Sequence, residues 1–365
     1  MAVMAATKKR RRSEEKPNHA VNLILDHLDD IPLSGGSKDC FQKLAVTING
    51  RTPGPTIYAQ QGDTVVVEIG TPWSDGTEGV TQCPIVPGDT FTYKFVVDRA
   101  GTYIYHAHYG MQRSAGLNGM IIVSVPDGVS EPFSYDYDQS ILLNDWWHKS
   151  TYEQAAGLNS VPFVWIGEPQ NKIDGRIKWA MNNMSFTLPD TPYLVALKQR
   201  LHHVFTQKPA PETYDSKNFD VFGVAKNANA TSGNSIYRLK FNSTIDIILQ
   251  NANTMTANNS ETHPWHLHGH DFWVLGYGIG KFDPMNDPKK YNLVDSIMKN
   301  TVALHRYGWT ALRFRADNPG VWAFHCHIEA HFFMGMGVVF EGVEKVGRLP
   351  LSIMGCGETK RLIRH

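Results

Sequence analysis

Most of the chain alternates apolar and polar positions in short runs, each bounded by glycine, proline, asparagine or aspartate. The runs are rich in valine, isoleucine, threonine and aromatic residues, which is typical of β-strands. The clearest of them are residues 45–48, 64–69, 90–97, 119–125, 244–250 and 309–315. Many short strands at this spacing predict an all-β chain built from Greek-key β-sandwich domains.

The N-terminal residues depart from this pattern. Residues 20–31 place apolar side chains at helical spacing and predict a short helix. Residues 1–15 contain five consecutive basic residues with no apolar run after them, so a signal peptide is not predicted here. They are predicted to be a disordered basic tail, with a nuclear localisation signal as the alternative.

Composition then removes several function classes. The chain has 365 residues, 31 glycines, 20 prolines and 11% aromatic residues, which suits a turn-rich β protein. Charged residues make up 19% and the formal net charge is zero, so neither a nucleic-acid partner nor a membrane is expected. No apolar run approaches the roughly 18 residues that span a bilayer. The length predicts two or three domains.

Candidate chemistry centres on one cysteine. Cys326 is flanked by His325 and His327, while His331 and Met336 follow it after five and ten residues. A thiolate, an imidazole and a weak axial thioether are three of the four ligands of a blue-copper site. Neighbouring side chains of an extended chain point to opposite faces, so the cysteine faces one metal and its two neighbours face a second. A packing or zinc cluster is the alternative, but the methionine spacing serves no zinc site.

Two further histidine groups supply what the cysteine segment lacks. Alternation puts His266 and His268 on one side of a strand, which leaves His263 to complete the cysteine site. His106 and His108 repeat the same spacing. One such pair arises easily by chance, whereas three pairs, one of them around a cysteine, strongly indicate bound metal.

These three segments resemble three of the four copper signatures of the multicopper oxidases. Longer strings resemble the plant L-ascorbate oxidases in particular, at residues 110–116, 144–148, 165–170 and 334–340. The resemblance runs from about Cys40 to the C-terminus and favours this branch over the laccases. It implies cupredoxin-like domains, copper as the cofactor, and an oxidoreductase that couples one-electron oxidation of ascorbate to reduction of O₂ to water.

The resemblance also assigns ligands. It gives the blue type-1 site to His263, Cys326, His331 and the axial Met336. It gives six of the family's eight histidines to the type-2/type-3 three-copper cluster: His106, His108, His266, His268, His325 and His327. Cys326, His325 and His327 are expected to relay electrons from the blue site to that cluster, and so to be catalytic.

The chain departs from the family in two places. Ile69 runs directly into Gly70, where the family has a core strand that carries the first copper signature and two histidines. Gln170 is followed almost at once by the start of the third domain, so most of a second domain, on the order of 100 residues or more, is missing. The three-copper cluster is therefore expected to be incomplete, with His266 as the sole protein ligand of its mononuclear copper.

Further expectations rest on the same resemblance. Ascorbate would stack on a member of the Trp146–Trp147 pair and on Trp179, beside an exposed His331. Cys83 and Cys356 would form a disulfide, which implies an oxidising compartment, and Cys40 would be left without its usual partner. The family implies a secreted plant glycoprotein of the apoplast and a homodimer. Four glycosylation sequons agree with this, at Asn183, Asn229, Asn242 and Asn258.

Five regions are predicted. They are an N-terminal extension (1–37), an incomplete first cupredoxin domain (38–130), a remnant of a second (131–171), a third with the blue site (172–347) and a C-terminal tail (348–365). The leading hypothesis is an L-ascorbate oxidase-type enzyme acting on ascorbate and O₂. The alternatives are a truncated, catalytically impaired form that binds at most the blue copper, and a laccase-like phenol oxidase.

Overall fold

The structure is a computed structural model that divides the chain into two compact units. It describes residues 2–7, 19–22, 25–28, 45–68, 76–131, 133–145, 147–161, 171–173, 176–212, 219–225, 230–342 and 346–362. Unit 1 contains Met1–Gly76 and Ile85–Ala155, and unit 2 contains Thr77–Pro84 and Ala156–His365. Cys40, Trp146 and Asn229 lie outside the described residues.

Unit 1 is built from short strands. They are β1 (Ala2–Thr7), β2 (His19–Asn22), β3 (Leu25–Leu28), β4 (Ala45–Ile48), β5 (Ile57–Gln60), β6 (Thr64–Glu68), β7 (Thr92–Val96), β8 (Gly101–His106), β9 (Asn118–Ser124) and β10 (Gln139–Asn144). They form two three-stranded sheets, β2-β6-β7 and β5-β9-β8, and the pairs β1-β10 and β3-β4. Alternate residues such as Ile57 and Ala59 face the core, while Tyr58 between them is exposed.

The prediction of a helix over residues 20–31 is wrong. The described residues of this segment belong to β2, which pairs in parallel with β6, and to β3, which pairs antiparallel with β4. An isolated helix shorter than about 12–15 residues is marginal in water, whereas the open edges of β4 and β6 offer ready backbone partners. The tail predicted to be disordered also contains a strand, β1, which pairs with β10. Its basic run, residues 8–12, lies outside the described residues.

Unit 2 continues the all-β pattern. Its strands are β11 (Asn171–Ile173), β12 (Arg176–Lys178), β13 (Met184–Phe186), β14 (Thr231–Gly233), β15 (Tyr237–Arg238), β16 (Thr244–Gln250), β17 (His263–Leu267), β18 (Phe272–Ile279), β19 (Met298–Lys299), β20 (Thr301–Leu304), β21 (Gly308–Arg315), β22 (Gly320–Cys326) and β23 (Gly337–Gly342). The larger sheets have the orders β15-β23-β22-β17-β20 and β16-β21-β18-β19.

The two larger sheets of unit 2 pack face to face. The ring of Phe314 on β21 lies 5.9 Å from that of Phe340 on β23, and Phe340 is 5.8 Å from Phe324 on β22. Every residue of β22 is buried, as expected for a strand with neighbours on both sides. Strands distant in sequence are neighbours in both sheets, which is the crossing connectivity of a Greek-key sandwich. The all-β, cupredoxin-like prediction is confirmed.

Helices are short. The α-helices are α1 (Thr151–Leu158), α2 (Tyr193–Lys198) and α3 (Glu329–Phe333), and the 3₁₀-helices are Asp287–Lys290, Leu351–Met354 and Gly357–Leu362. None of the helices in the described part of the chain combines the length and the apolar character needed to cross a membrane.

The predicted disulfide is present. Cys83 and Cys356 are bonded, with Cα atoms 5.6 Å apart and a sequence separation of 273. Cys83 belongs to the segment Thr77–Pro84, which packs with unit 2 although its neighbours in sequence belong to unit 1. The bond therefore fastens this segment to the C-terminal end of unit 2. The five predicted region boundaries stay predictions.

Candidate metal centre

The pairing of β17 with β22 places the predicted metal-binding side chains on two faces of one sheet. Trp265 lies opposite Cys326, and His266 lies opposite His325. Directly opposed residues share a face, and successive residues alternate between faces. His263 therefore falls on the face of Cys326, while His266 and His325 fall on the other. This is the two-sided arrangement that alternation predicted.

On the first face, three donor atoms converge. The sulfur of Cys326 lies 3.8 Å from Nδ1 of His263 and 3.7 Å from Nδ1 of His331, and the two nitrogens are 3.2 Å apart. All three residues are buried. These separations suit donors that share one ion, since bonds to imidazole nitrogen and thiolate sulfur are about 2.0 and 2.3 Å for zinc, a comparable first-row metal.

The protonation state of His263 also suits a metal. Burial, with a smaller contribution from nearby His331, lowers the pKa of His263 to about 3. The imidazole of His263 is therefore neutral near pH 7, and a neutral imidazole is the form that binds metal. Thiolate and imidazole together in a buried site are the donors of blue-copper proteins.

The turn between Cys326 and Met336 sets the remaining geometry. The N–H of Cys326 donates to the carbonyl of Met336 at 3.1 Å, and the N–H of Met336 donates to the carbonyl of His331 at 2.9 Å. The short helix α3 carries His331 inside this turn. Gly335 closes it with a φ of +105°, a conformation that L side chains rarely adopt.

Replacing Gly335 with alanine is expected to weaken the cluster. The added Cβ would contact the hydroxyl of Ser185 and lie 3.1 Å from backbone atoms of Phe186. Strain of this kind costs about 1–3 kcal/mol, so thermal unfolding should occur at a lower temperature and metal should be held less tightly. Gly355→Ala is the control, because Gly355 has a φ of −73° and open space around it. Equal unfolding temperatures for the two variants would contradict the prediction.

On the second face, four histidines of unit 2 cluster. Ring centroids are 4.7 Å apart for His266–His268, 5.1 Å for His268–His325, 5.4 Å for His266–His327 and 5.8 Å for His325–His327. Nε2 of His268 lies 3.0 Å from Nε2 of His325. Nitrogens that converge in this way can bind a cation between them.

Hydrogen bonds at Nδ1 determine which nitrogen of these histidine rings is available to bind a metal. Nδ1 of His325 donates to the carbonyl of Cys326 at 2.9 Å, and Nδ1 of His266 donates to the carbonyl of Asn300 at 2.8 Å. A carbonyl can only accept, so Nδ1 carries the hydrogen and the lone pair of each neutral ring lies on Nε2. Nδ1 of His268 contacts the hydroxyl of Thr77 at 3.3 Å. Sequence reasoning missed Thr77 and Asn300, because neither belongs to a histidine motif.

The remaining predicted cluster histidines lie in unit 1. His106 ends β8, and its ring centroid is 4.5 Å from that of His108. Nδ1 of His106 donates to the carbonyl of Ala107 at 3.0 Å, so its lone pair also lies on Nε2. Their place in the three-copper cluster stays a prediction.

The predicted substrate face differs from expectation. Trp179 is 1% exposed, and its ring lies 4.7 Å from that of His331 and 5.1 Å from that of His263. His331, expected to be exposed, is 6% exposed because the indole covers its ring. Trp147 of unit 1 is 38% exposed. The substrate-binding role of these residues stays a prediction.

Two family models, each described as multicopper oxidase, match residues 68–128 and 203–345. The chain is 36% identical to an L-ascorbate oxidase of Cucumis sativus, over 90% of this chain and 91% of that relative. The chain belongs to the multicopper oxidase family. The resemblance found in the copper motifs is thus confirmed. Multicopper oxidases use copper to oxidise a reducing substrate with O₂, so this multicopper oxidase is a member of an oxidoreductase family.

Other comparisons agree with the family. Laccase-11 of Arabidopsis thaliana is 25% identical, over 89% of this chain and 93% of its own length. The crystal structure of Fet3p, a multicopper oxidase that functions in iron import, shares the fold with a TM-score of 0.63 at 18% identity, over 88% of this chain and 90% of that one. The alignment with the Cucumis sativus protein extends over 535 positions, whereas this multicopper oxidase has 365 residues, so that relative contains segments which it lacks.

Proposed function

We propose that this multicopper oxidase is of the L-ascorbate oxidase type. Four hydrogen-ascorbate anions each lose one electron and one proton, and O₂ takes up four electrons and four protons to form two water molecules. The observation that carries the proposal is the buried Cys326, which meets two imidazoles on one face of its sheet while its neighbour His325 points to the other. The identity to L-ascorbate oxidases exceeds that to laccases, which supports ascorbate as the donor.

The residues of the first face fit a type-1 copper site. Cys326, His263 and His331 would hold the ion, and the thioether of Met336, which is also buried, would be a weaker ligand. Copper bound there would exchange single electrons with the reducing substrate. The protein excludes water from the donor atoms and keeps His263 neutral. The chain from Cys326 through its peptide bonds to His325 and His327 offers a short covalent path between the two faces.

The histidines of the second face fit a partial type-2/type-3 cluster. Unit 2 would contribute His266, His268, His325 and His327, and the assignment of His106 and His108 rests on the resemblance alone. Ligand number decides how well such a site retains metal, and the first copper signature of the family is absent from this sequence. We therefore expect the blue site to be the more tightly loaded of the two.

Two rival functions have support of their own. The segments absent relative to the Cucumis sativus protein favour a truncated form that binds blue copper without turning over O₂. The burial of Trp179 favours a laccase-like phenol oxidase, since a buried indole presents no open face on which ascorbate could stack.

One experiment separates the three functions. The copper-replete chain is assayed for copper per chain, visible absorption and O₂ uptake with ascorbate or a phenol. We expect intense absorption and ascorbate-dependent uptake at four ascorbate per O₂. Absorption without uptake would favour the truncated form, and faster uptake with the phenol would favour the laccase-like one. Absence of thiolate-to-copper absorption would overturn the copper site itself.

We also propose, from the same resemblance, a secreted apoplastic homodimeric glycoprotein. The disulfide in unit 2 supports an oxidising compartment. The sequon asparagines Asn183, Asn242 and Asn258 are exposed and so accessible to glycosylation. A mass lost on deglycosylation of protein made in plant cells would support this location, and an unmodified mass would contradict it.

A further inference from the structure

The outer nitrogen of His331 faces a carboxylate that the copper motifs do not include. Nδ1 of His331 points to Cys326, and Nε2, on the other side of the ring, lies 3.3 Å from a carboxylate oxygen of Glu261. The side chain of His331 is 7% exposed and that of Glu261 is 33% exposed. Glu261 thus lies at the outer edge of the buried cluster.

The backbone of Glu261 is held firmly in this position. The side-chain amide of Asn251 donates to the carbonyl of Glu261 at 2.5 Å and to the carbonyl of His305 at 3.0 Å. Asn251 is itself buried, so water does not compete for these bonds. Glu261 comes two residues before His263, but this spacing belongs to no metal motif and does not reveal a contact with His331.

We propose that Glu261 is a positioning residue for the cysteine cluster. Its carboxylate favours an N–H on Nε2 of His331, because a lone pair there would face a negative charge. The lone pair of the neutral ring is then on Nδ1, directed at the sulfur of Cys326. The indole of Trp179 covers the ring face, so edge and face contacts together fix the orientation of His331.

The role of Glu261 differs from that of the contacts on the second face. There, carbonyl groups accept from Nδ1 and leave Nε2 to bind metal. At His331 the arrangement is reversed, since Nδ1 faces the cluster and a charged group faces Nε2. Carboxylate contacts to a ligand imidazole raise its basicity, and removing such a partner typically lowers metal affinity about 10–100-fold.

The inference rests on the proposed metal site, and cobalt(II) tests both separately. Co²⁺ bound to a thiolate gives charge-transfer absorption, so titration of the metal-free chain reports directly on Cys326. We expect the affinity for Co²⁺ to fall about tenfold or more in Glu261→Ala. Glu261→Gln should lose less, because its amide oxygen can still accept from Nε2. The metal-free variants are checked by thermal unfolding.

A second histidine–carboxylate pair supplies the control. Glu358 lies 2.5 Å from Nε2 of His203 at the surface, and neither residue belongs to the cysteine cluster. Glu358→Ala should bind Co²⁺ as the parent chain does. The inference is overturned if Glu261→Ala retains the full affinity for Co²⁺, or if it loses no more affinity than Glu261→Gln. It is also overturned if Glu358→Ala loses as much affinity as Glu261→Ala. A parent chain without charge-transfer absorption would overturn the proposed metal site as well.

Discussion

Replacing Cys326 with serine is expected to abolish the intense visible absorption of the copper-replete chain. The absorption requires charge transfer from a thiolate to copper, and a serine hydroxyl is neither anionic near pH 7 nor a soft ligand. Cys326 supplies the only thiol among the described donors of this cluster, and its sulfur lies 3.7 and 3.8 Å from the Nδ1 atoms of His331 and His263. Electron entry and every later step would be lost with it.

The measurement is a visible spectrum at equal copper loading. Serine at position 326 keeps nearly the same volume, so the sandwich should remain folded and the metal-free unfolding temperature should change little. Cys40→Ser is the control, because Cys40 belongs to none of the copper motifs and its replacement should leave the band intact. A band that survives in Cys326→Ser but disappears in Cys40→Ser would show that the metal site has been assigned to the wrong cysteine.

Local sequence patterns predicted much of the fold and of the candidate site. Alternation depends only on the geometry of an extended chain, so it placed Cys326 and His325 on opposite faces before any tertiary contact was known. The same reasoning failed at residues 20–31, where helical spacing was outweighed by the open edges of β4 and β6. Spacing describes a segment alone, and edge pairing depends on what lies beside it.

The groups around the metal ligands could not be read from the sequence. Thr77 contacts His268 at a sequence separation of 191, and Glu261 contacts His331 at a sequence separation of 70. Their types are common and their spacing follows no metal motif. Trp179 was identified from resemblance, yet its burial against His331 depends on packing that no motif encodes. Candidate ligands are therefore predictable from local spacing, whereas the residues that contact them follow from tertiary packing.

The segment Thr77–Pro84 shows why the disulfide has a large effect. It packs with unit 2, although the chain on both sides of it belongs to unit 1. Backbone bonds join it to its neighbours, with Leu194 donating to Val80 at 3.0 Å and Cys83 donating to Ile353 at 3.2 Å. The bond between Cys83 and Cys356 adds the covalent connection.

Removing this bond by the double replacement Cys83→Ser and Cys356→Ser is expected to destabilise the protein by about 2–5 kcal/mol, toward the upper end because the bond closes a long loop. The chain between the two cysteines, whose sequence separation is 273, gains freedom in the unfolded state, while the native state loses only one covalent bond. Denaturant unfolding of the metal-free chain measures the change, and reduction of the parent chain should reproduce it. Thr77 lies in the released segment and contacts His268, so metal binding on the second face should weaken before the absorption from Cys326 does. Cys326→Ser, which keeps the disulfide, is the matched control. If the double variant unfolded at the same denaturant concentration as the parent chain, the noncovalent contacts alone would be sufficient to hold the segment Thr77–Pro84 in place.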